Sequence, residues 1–192
     1  HTLYNWSYLE AWPNIRLVKG DIRDFALLKS VANNVDVIIH TAGQTALTTS
    51  LQDPRTDFEI NALGTFNVLE AARALKPRPA VIFCSTNKAY GSNVNQIPLR
   101  EEKTRYAFAP QRYQKGIAED FSIDLCEHSP YGASKLAADI YVQDYAQRGE
   151  VDAAVFRMSS IYGPRQFGVF DQGWVAWLTI ATLTGKPIII DG

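Results

Sequence analysis

The feature that most constrains the fold is an alternation of short apolar runs with segments of helical spacing. The apolar runs are rich in β-branched residues, are bounded by turn residues and lack strict polar alternation. They fall at residues 15–18, 35–39, 80–83, 151–156 and 188–190. Helical spacing covers residues 25–32, 65–75 and 131–147. This order predicts the α/β class, with a doubly wound parallel sheet covered by helices on both faces.

Two segments do not follow the alternation. Residues 92–129 carry no clear element, and a connection of this length predicts a functional insertion or cover. Past Gly163 the pattern loosens and aromatic residues lie close together, at Phe167, Phe170, Trp174 and Trp177. We therefore expect a sheet domain over residues 1–163 and the start of a small, truncated C-terminal substrate lobe over residues 164–192.

Composition argues against several classes of partner. The formal net charge of −1 gives no basic excess to attract nucleic acid or an anionic membrane. No apolar run approaches the roughly 20 residues that a membrane span needs. The cysteines Cys84 and Cys126 lie in separate segments and the three histidines are scattered. These features predict a cytoplasmic protein with free thiols and no metal site.

Polar clusters directly follow three of the expected strands. They are the HTAGQ of residues 40–44, the STNK of residues 85–88, and Ser159 with Ser160. In open α/β sheets, ligands bind outside the carboxyl ends of the strands. We therefore expect the three clusters to converge on one crevice.

The motif YGASK places Tyr131 and Lys135 four residues apart at the start of a helix, hence on one face. A phenol loses its proton only near pH 10 and is a poor base at neutral pH. An ammonium group nearby favours the phenolate, so this pair suits general base catalysis. The spacing alone is a weak signal, and decoration of a helix surface also explains it.

Several motifs stand in the order found in one family. They are GDIRD from Gly20, HTAGQ from His40, INALGTFNVLEAAR from Ile60, STNKAYG from Ser85, YGASK from Tyr131 and FRMSSIYGPRQ from Phe156. With them the chain resembles the extended short-chain dehydrogenases/reductases of the NAD-dependent epimerase/dehydratase type. The resemblance implies a Rossmann-like fold with NAD as cofactor. The cofactor-binding residues that it implies are Asp21, Ile22, Thr41, Ala42, Gly43, Gln44, Asn61, Cys84, Ser85, Tyr131, Lys135 and Ser159.

The resemblance also implies catalytic roles for Thr86, Tyr131 and Lys135. Tyr131 would take the proton of a sugar hydroxyl while NAD accepts a hydride from the same carbon. Hydride would then return to the opposite face of the keto intermediate. Thr86 would hydrogen-bond the reacting oxygen, and Lys135 would bind the nicotinamide ribose. The substrate-binding residues implied are Thr86, Asn87, Lys88, Ser160 and Gln172.

Asn87 and Lys88 bear on which reaction is expected. Sugar dehydratases of the superfamily carry Asp-Glu directly after the corresponding threonine, as an acid/base pair for elimination of water. An amide and an ammonium cannot replace two carboxylates, so dehydration is not expected. Whether Lys88 is a solvated cation or lies near the sugar or its pyrophosphate stays open; a lysine suits anionic oxygens as a point charge.

The stretches TAGQTALTTSLQDPRTDF from Thr41 and RQFGVFDQGWV from Arg165 resemble a branch of the family that epimerises a CDP-linked hexose at C2. A nucleotide-sugar substrate is therefore expected. Two alternatives stay open. One is another sugar-nucleotide enzyme, a UDP-hexose 4-epimerase or a reductase. The other is a non-catalytic Rossmann-like binding protein, against which the set of Thr86, Tyr131 and Lys135 argues.

One signature of the family is missing from these 192 residues. No Gly-x-x-Gly-x-x-Gly loop follows a first strand, although such a loop holds the dinucleotide pyrophosphate. We therefore expect the chain to begin after the first strands of such a fold and not to catalyse the reaction by itself. Exposed sheet edges would favour a homo-oligomer.

Overall fold

A computed structural model describes residues 2–189, without the side chain of Thr2. Its strands are β1 (Val37–His40), β2 (Ala80–Thr86), β3 (Leu99–Glu101), β4 (Tyr106–Phe108) and β5 (Ala153–Met158). Its α-helices are α1 (Thr2–Glu10), α2 (Phe25–Val31), α3 (Leu47–Gln52), α4 (Pro54–Phe58), α5 (Gly64–Arg73), α6 (Pro130–Gln147) and α7 (Trp174–Leu183). A π-helical turn, Glu59–Leu63, joins α4 to α5, and 3₁₀ turns cover Asn87–Gln96 and Gln111–Tyr113.

A parallel sheet in the order β1-β2-β5 forms the centre of the described chain. Strand β2 lies between the other two, with Ile38 beside Val81 and Phe83 beside Val155. The predicted α/β class and the parallel sheet are therefore confirmed. Strand β2 continues past the predicted apolar run to Thr86, because its polar end still pairs with the end of β5.

Helices α5 and α6 cover one face of this sheet. The core contains Val68, Leu69 and Ala72 from α5, Ala138, Val142 and Tyr145 from α6, and Val81, Phe83 and Val151 from the sheet side. Burying these side chains removes their apolar surface from water, which stabilises the fold by about 25 cal/mol for each Å² buried. The core therefore fixes α5 and α6 against the centre of the sheet.

Within the described residues, the opposite face of the sheet is bare, which differs from the prediction of helices on both faces. Val37, Ile39 and Phe156 point to that side and are 49%, 66% and 51% exposed. Right-handed crossovers from β1 to β2 and from β2 to β5 run in the same direction across the sheet. They therefore place α5 and α6 on the same face.

Two predicted strands were wrong. Residues 15–18 form no strand because they have no partner strand in the part of the chain described. Ile188 and Ile189 are likewise outside any strand, and Ile190 lies outside the described residues. A run of β-branched residues becomes a strand only when a neighbour can satisfy its backbone hydrogen bonds. The predicted helices at 25–32, 65–75 and 131–147 were right to within two residues at each end.

The insertion at 92–129 has structure of its own. Strands β3 and β4 pair antiparallel, with Leu99 opposite Phe108. A row of edge-on aromatic contacts runs from Tyr90 to Phe121 at 6.1 Å, to Tyr113 at 5.9 Å and on to Phe108 at 6.1 Å. These contacts hold the insertion together beside the end of β2.

Candidate active site

The carboxyl end of the sheet opens into a cleft of about 560 Å³. The cleft is bounded by the ends of β2 and β5, the start of α6 and the segment before α7. The predicted site residues that line it are Ser85, Thr86, Asn87, Lys88, Tyr131, Ser159, Ser160 and Gln172. The structure thus brings together, at one crevice, side chains from two of the three polar clusters and from the YGASK motif.

The start of α6 is fixed by a short-range cap. The hydroxyl of Ser129 accepts a hydrogen bond from the backbone N–H of Gly132 at 3.1 Å, and Pro130 occupies the first turn. Tyr131 is half-buried at the cleft, and Lys135 lies one turn further along the same helix. The cap fixes where α6 begins, and therefore where these two residues stand on the helix.

Lys135 is a buried cation, only 6% exposed. Its ammonium donates a hydrogen bond to the backbone carbonyl of Cys84 at 2.8 Å and lies 4.3 Å from the centre of the Phe83 ring. Burial lowers the pKa of Lys135 to about 8, although nearby Cys84, Asp139 and Asp57 act in the opposite direction. Among the described residues, Cys84 is the one hydrogen-bond partner of this ammonium, which leaves two N–H donors for a ligand.

His40 is buried within electrostatic reach of the same ammonium and is 4% exposed. Its Nε2 is 2.9 Å from the hydroxyl of Thr65, which itself donates to the carbonyl of Asn61 at 2.6 Å. The Thr65 hydroxyl therefore accepts from His40, which requires the proton on Nε2. Burial, and secondarily the charge of Lys135, lowers the pKa of His40 to about 4, so the ring is neutral at physiological pH.

The turn after β1 is held by Asn61. Its side-chain oxygen accepts from the N–H of Gln44 at 2.9 Å, and its amide donates to the carbonyl of Gln44 at 3.1 Å. The same amide reaches Asp57 and Ser134 at 3.2 and 3.0 Å. A Cβ on Gly43 would lie 2.9 Å from the Asn61 oxygen, so only glycine fits there without a shift. Asn61 is therefore committed to protein contacts that shape the turn.

Ser85 and Thr86 at the end of β2 are both 6% exposed. The Thr86 hydroxyl accepts from the N–H of Lys88 at 3.2 Å, and its proton points to the side-chain oxygen of Asn87 at 3.4 Å. The Ser85 hydroxyl instead donates to Asp139 at 2.7 Å. Thr86 thus faces the cleft with a weakly held proton, whereas Ser85 is tied to α6.

Other predicted residues lie at or beyond the rim. Thr41 and Ala42 are exposed in the turn after β1, and Asn87 and Lys88 are exposed at the rim. Asp21 is hydrogen-bonded to Arg23, which lowers the pKa of its carboxyl to about 2. The carbonyl of Ile22 accepts from Asn67 at 3.3 Å. Neither Asp21 nor Ile22 lines the cleft, and their assignment to the cofactor stays a prediction.

Sequence reasoning missed several residues that shape the site. Thr45, Tyr162, Gln166, Asp171 and Trp174 line the cleft and lie within the quoted family stretches, but none of them was assigned a role. Asp57, Ser134 and Asp139 are buried under it. One signal was available for Asp139, because Tyr131, Lys135 and Asp139 recur at a spacing of four and so share one stripe of α6.

In the part of the chain that the structure describes, no group of three or more His, Cys, Asp or Glu side chains could hold a metal ion. Over the same range, no helix has the length and apolar character needed to cross a membrane. Both thiols are free.

Comparison with known proteins identifies the family. The model of the NAD dependent epimerase/dehydratase family matches residues 1–192. The chain belongs to this family. It is 41% identical to CDP-paratose 2-epimerase of Salmonella typhi over 98% of the chain and 56% of that protein. It is 31% identical to UDP-glucose 4-epimerase of Mycolicibacterium smegmatis over 98% of the chain and 54% of that protein.

The fold agrees with solved structures of family members. A double mutant of dTDP-glucose 4,6-dehydratase from Streptomyces venezuelae, solved with NAD bound, matches with a TM-score of 0.75 and 26% identity. The match covers 99% of the chain and 52% of that structure. The chain spans about half the length of the curated relatives that it matches. The resemblance to the epimerase/dehydratase family expected from the motifs is confirmed.

Proposed function

We propose that this protein is an NAD-dependent epimerase of a nucleotide-linked hexose. The observation that carries the proposal is the arrangement of Thr86 and Tyr131 at one cleft with Lys135 buried one helical turn behind Tyr131. This set provides a base, a hydrogen-bond donor for the reacting oxygen and a fixed positive charge. A protein that binds a nucleotide sugar without turnover has no need of all three.

The residues around Lys135 fit the nicotinamide half of NAD. A buried ammonium with two open N–H donors suits vicinal ribose hydroxyls, which accept hydrogen bonds. The turn at Gly43 lies close to it, because a Cβ there would be 3.9 Å from the Lys135 nitrogen. We assign Lys135, Tyr131, Ser85, Ser159, the Cys84 segment and the 41–44 turn to this half, and Asp21 with Ile22 to the adenine half. When bound, NAD would supply the acceptor, and later the donor, of the hydride at the reacting sugar carbon.

The side chains of this protein supply the proton chemistry. Tyr131 accepts the hydroxyl proton of the reacting carbon and returns it to the keto oxygen after the sugar has turned over. Thr86, whose proton meets the Asn87 oxygen at a distance of 3.4 Å, is available to hydrogen-bond that oxygen of the sugar. The Lys135 ammonium, held at the carbonyl of Cys84, supplies a fixed positive charge one helical turn behind Tyr131. No carboxylate stands at positions 87 and 88, so elimination of water lacks its acid/base pair.

We propose a CDP-linked hexose as the substrate, inverted at C2. The support is the 41% identity to CDP-paratose 2-epimerase, against 31% to UDP-glucose 4-epimerase over the same share of the chain. A UDP-hexose 4-epimerase is the second candidate, since both enzymes share the cleft chemistry. Asn87, Lys88, Ser160 and Gln172 would contact the sugar nucleotide, as they line the cleft.

Three further assignments complete the proposal. Residues 1–163 would form the cofactor domain and residues 164–192 the start of the substrate lobe. The protein would be cytoplasmic, in agreement with two free thiols. It would form a homo-oligomer.

The full-length protein tests the proposal directly. Denaturation should release NAD, detected by mass spectrometry, and CDP-paratose should be converted faster than UDP-glucose. Tyr131→Phe should abolish turnover, whereas Tyr141→Phe, on an exposed position of the same helix, should leave it unchanged. A correctly folded protein without NAD, or an active Tyr131→Phe variant, would rule the proposal out.

A further inference from the structure

Asp139 lies under the cleft, where two strands meet α6. It is fully buried, and its carboxylate accepts from the Ser85 hydroxyl at 2.7 Å. It also accepts from Arg157 Nε at 2.9 Å and Nη2 at 3.2 Å, and from the amide of Gln143. Charge-assisted, forked contacts of this kind fix geometry as well as supply energy. Asp139 therefore ties the end of β2 to α6 and to β5.

Arg157 extends this link to the insertion. Its side chain is 10% exposed, and Nη1 donates to the backbone carbonyl of Glu119 at 3.1 Å. The guanidinium group also lies 4.9 Å from the centre of the Tyr90 ring. Arg157 thus contacts the segment that follows Thr86 at two residues, Tyr90 and Glu119.

We propose that Asp139 and Arg157 are positioning residues. They hold the end of β2, with Thr86, at a fixed distance from the face of α6 that carries Tyr131 and Lys135. They also anchor the insertion beside the cleft. This inference rests on the proposed function and adds two residues that are not part of the cleft lining. Thr86 and Tyr131 stand on different elements. Their separation therefore depends on what joins those elements, and the Ser85–Asp139–Arg157 chain joins them next to the cleft.

The charges around Lys135 agree with this role. The titratable groups that face it are His40 on β1, Cys84 on β2, Asp57 on α4 and Asp139 on α6. His40 is neutral, so the two buried carboxylates offset the positive charges of Lys135 and Arg157. The charge of Asp139 raises the pKa of Lys135. Without that charge, the pKa of Lys135 falls below its value of about 8.

The experiment compares Asp139→Asn and Arg157→Lys in the full-length protein with Asp144→Asn as the matched control. Asp144 is on the same helix and pairs with Arg148 at 2.9 Å, but both side chains are more than half exposed. We expect kcat of the Asp139 and Arg157 variants to fall up to about 100-fold, with KM nearly unchanged. Amide hydrogen exchange at residues 85–88 and 118–121 should quicken, while Asp144→Asn should match the wild type in both measurements.

A purely structural role gives a different result. Exchange that quickens evenly along the chain, or a kcat equal to that of Asp144→Asn, would overturn the inference. Arg157→Lys keeps a cation beside Asp139, so it covers the case in which Asp139→Asn does not fold. If the wild-type protein shows no epimerase activity, the proposed function fails, but local exchange at 85–88 and 118–121 still decides whether these residues position the end of β2.

Discussion

His40 shows, at the scale of one residue, how the site sets the pH response of the fold. Its ring lies 5.2 Å from Phe83 and is almost completely removed from water. Its pKa falls from 6.5 to about 4, so the folded chain resists a proton that the unfolded chain accepts. The contribution of His40 to the free energy of unfolding is fully present above pH 6.5. It is lost as the pH falls from 6.5 towards 4.

We therefore expect the free energy of unfolding to decrease by up to about 3 kcal/mol across that window because of His40. The measurement is urea unfolding between pH 7.5 and 4, and His40→Gln should flatten the slope. Asp21 does not affect the slope in this pH range. Its contribution to the free energy of unfolding is fully present above pH 3.8 and is lost only as the pH falls from 3.8 through about 2. An unchanged slope in His40→Gln would contradict this assignment.

Gly43 provides a second test at the residue scale. Gly43→Ala places a methyl group 2.9 Å from the Asn61 oxygen and disturbs the pairing of Asn61 with Gln44. We expect the free energy of unfolding to fall by about 1–3 kcal/mol. Gly163→Ala is the control, since a Cβ there meets nothing within 4 Å. Equal unfolding curves for the two variants would show that the turn has room for a side chain.

Single residues also show what the sequence could and could not predict about the site. The assignment of Thr86, Tyr131 and Lys135 to one site rests on the resemblance to the family, and for Tyr131 and Lys135 also on their spacing of four residues. Asp57 and Arg157 could not be predicted to lie in the interior, because a charged residue in an isolated sequence is expected at the surface. For Asp139 the spacing of four from Lys135 was the one available signal. The burial of all three depends on partners far along the chain, such as Ser85 for Asp139, which only the folded topology supplies.

At the scale of elements, the sheet was predicted best where it is paired on both sides. Strand β2 has neighbours on both edges and was found from its apolar run, whereas residues 15–18 look equally strand-like and form none. The helix α6 was found from its spacing. Helices α3 and α4 were missed because they are short and polar, and each carries a single buried residue, Ser50 and Asp57.

The bare face of the sheet leads to a prediction about association. Val37 and Ile39 expose apolar surface on β1, which also has an unpaired edge among the described residues. We expect the 192-residue chain to self-associate in light scattering and the double variant Val37→Lys, Ile39→Lys to be largely monomeric. Leu99→Lys, on the separate β3–β4 hairpin, should associate like the wild type. Undiminished association of the double variant would place the contact elsewhere.

At the scale of the whole molecule, the pieces of the site come from distant parts of the chain. The turn after β1, the end of β2, the start of α6 and the segment before α7 meet at one end of one parallel sheet. The topology explains why these segments meet, because the carboxyl ends of parallel strands all lie at the same edge of the sheet. The sequence could therefore predict that polar clusters converge, and two of the three line the cleft, although it could not show which other residues of the quoted stretches would join them.

In the function that we propose, the full-length protein inverts a sugar carbon by removing and returning the same hydrogen as a hydride. The most direct test is epimerisation of the CDP-linked hexose in D₂O, followed by proton NMR of the product. A hydride does not exchange with water, so the inverted carbon should keep its original hydrogen in every product molecule. Deuterium at that carbon would mean that a base removes the original hydrogen as a proton, and would contradict the proposed function.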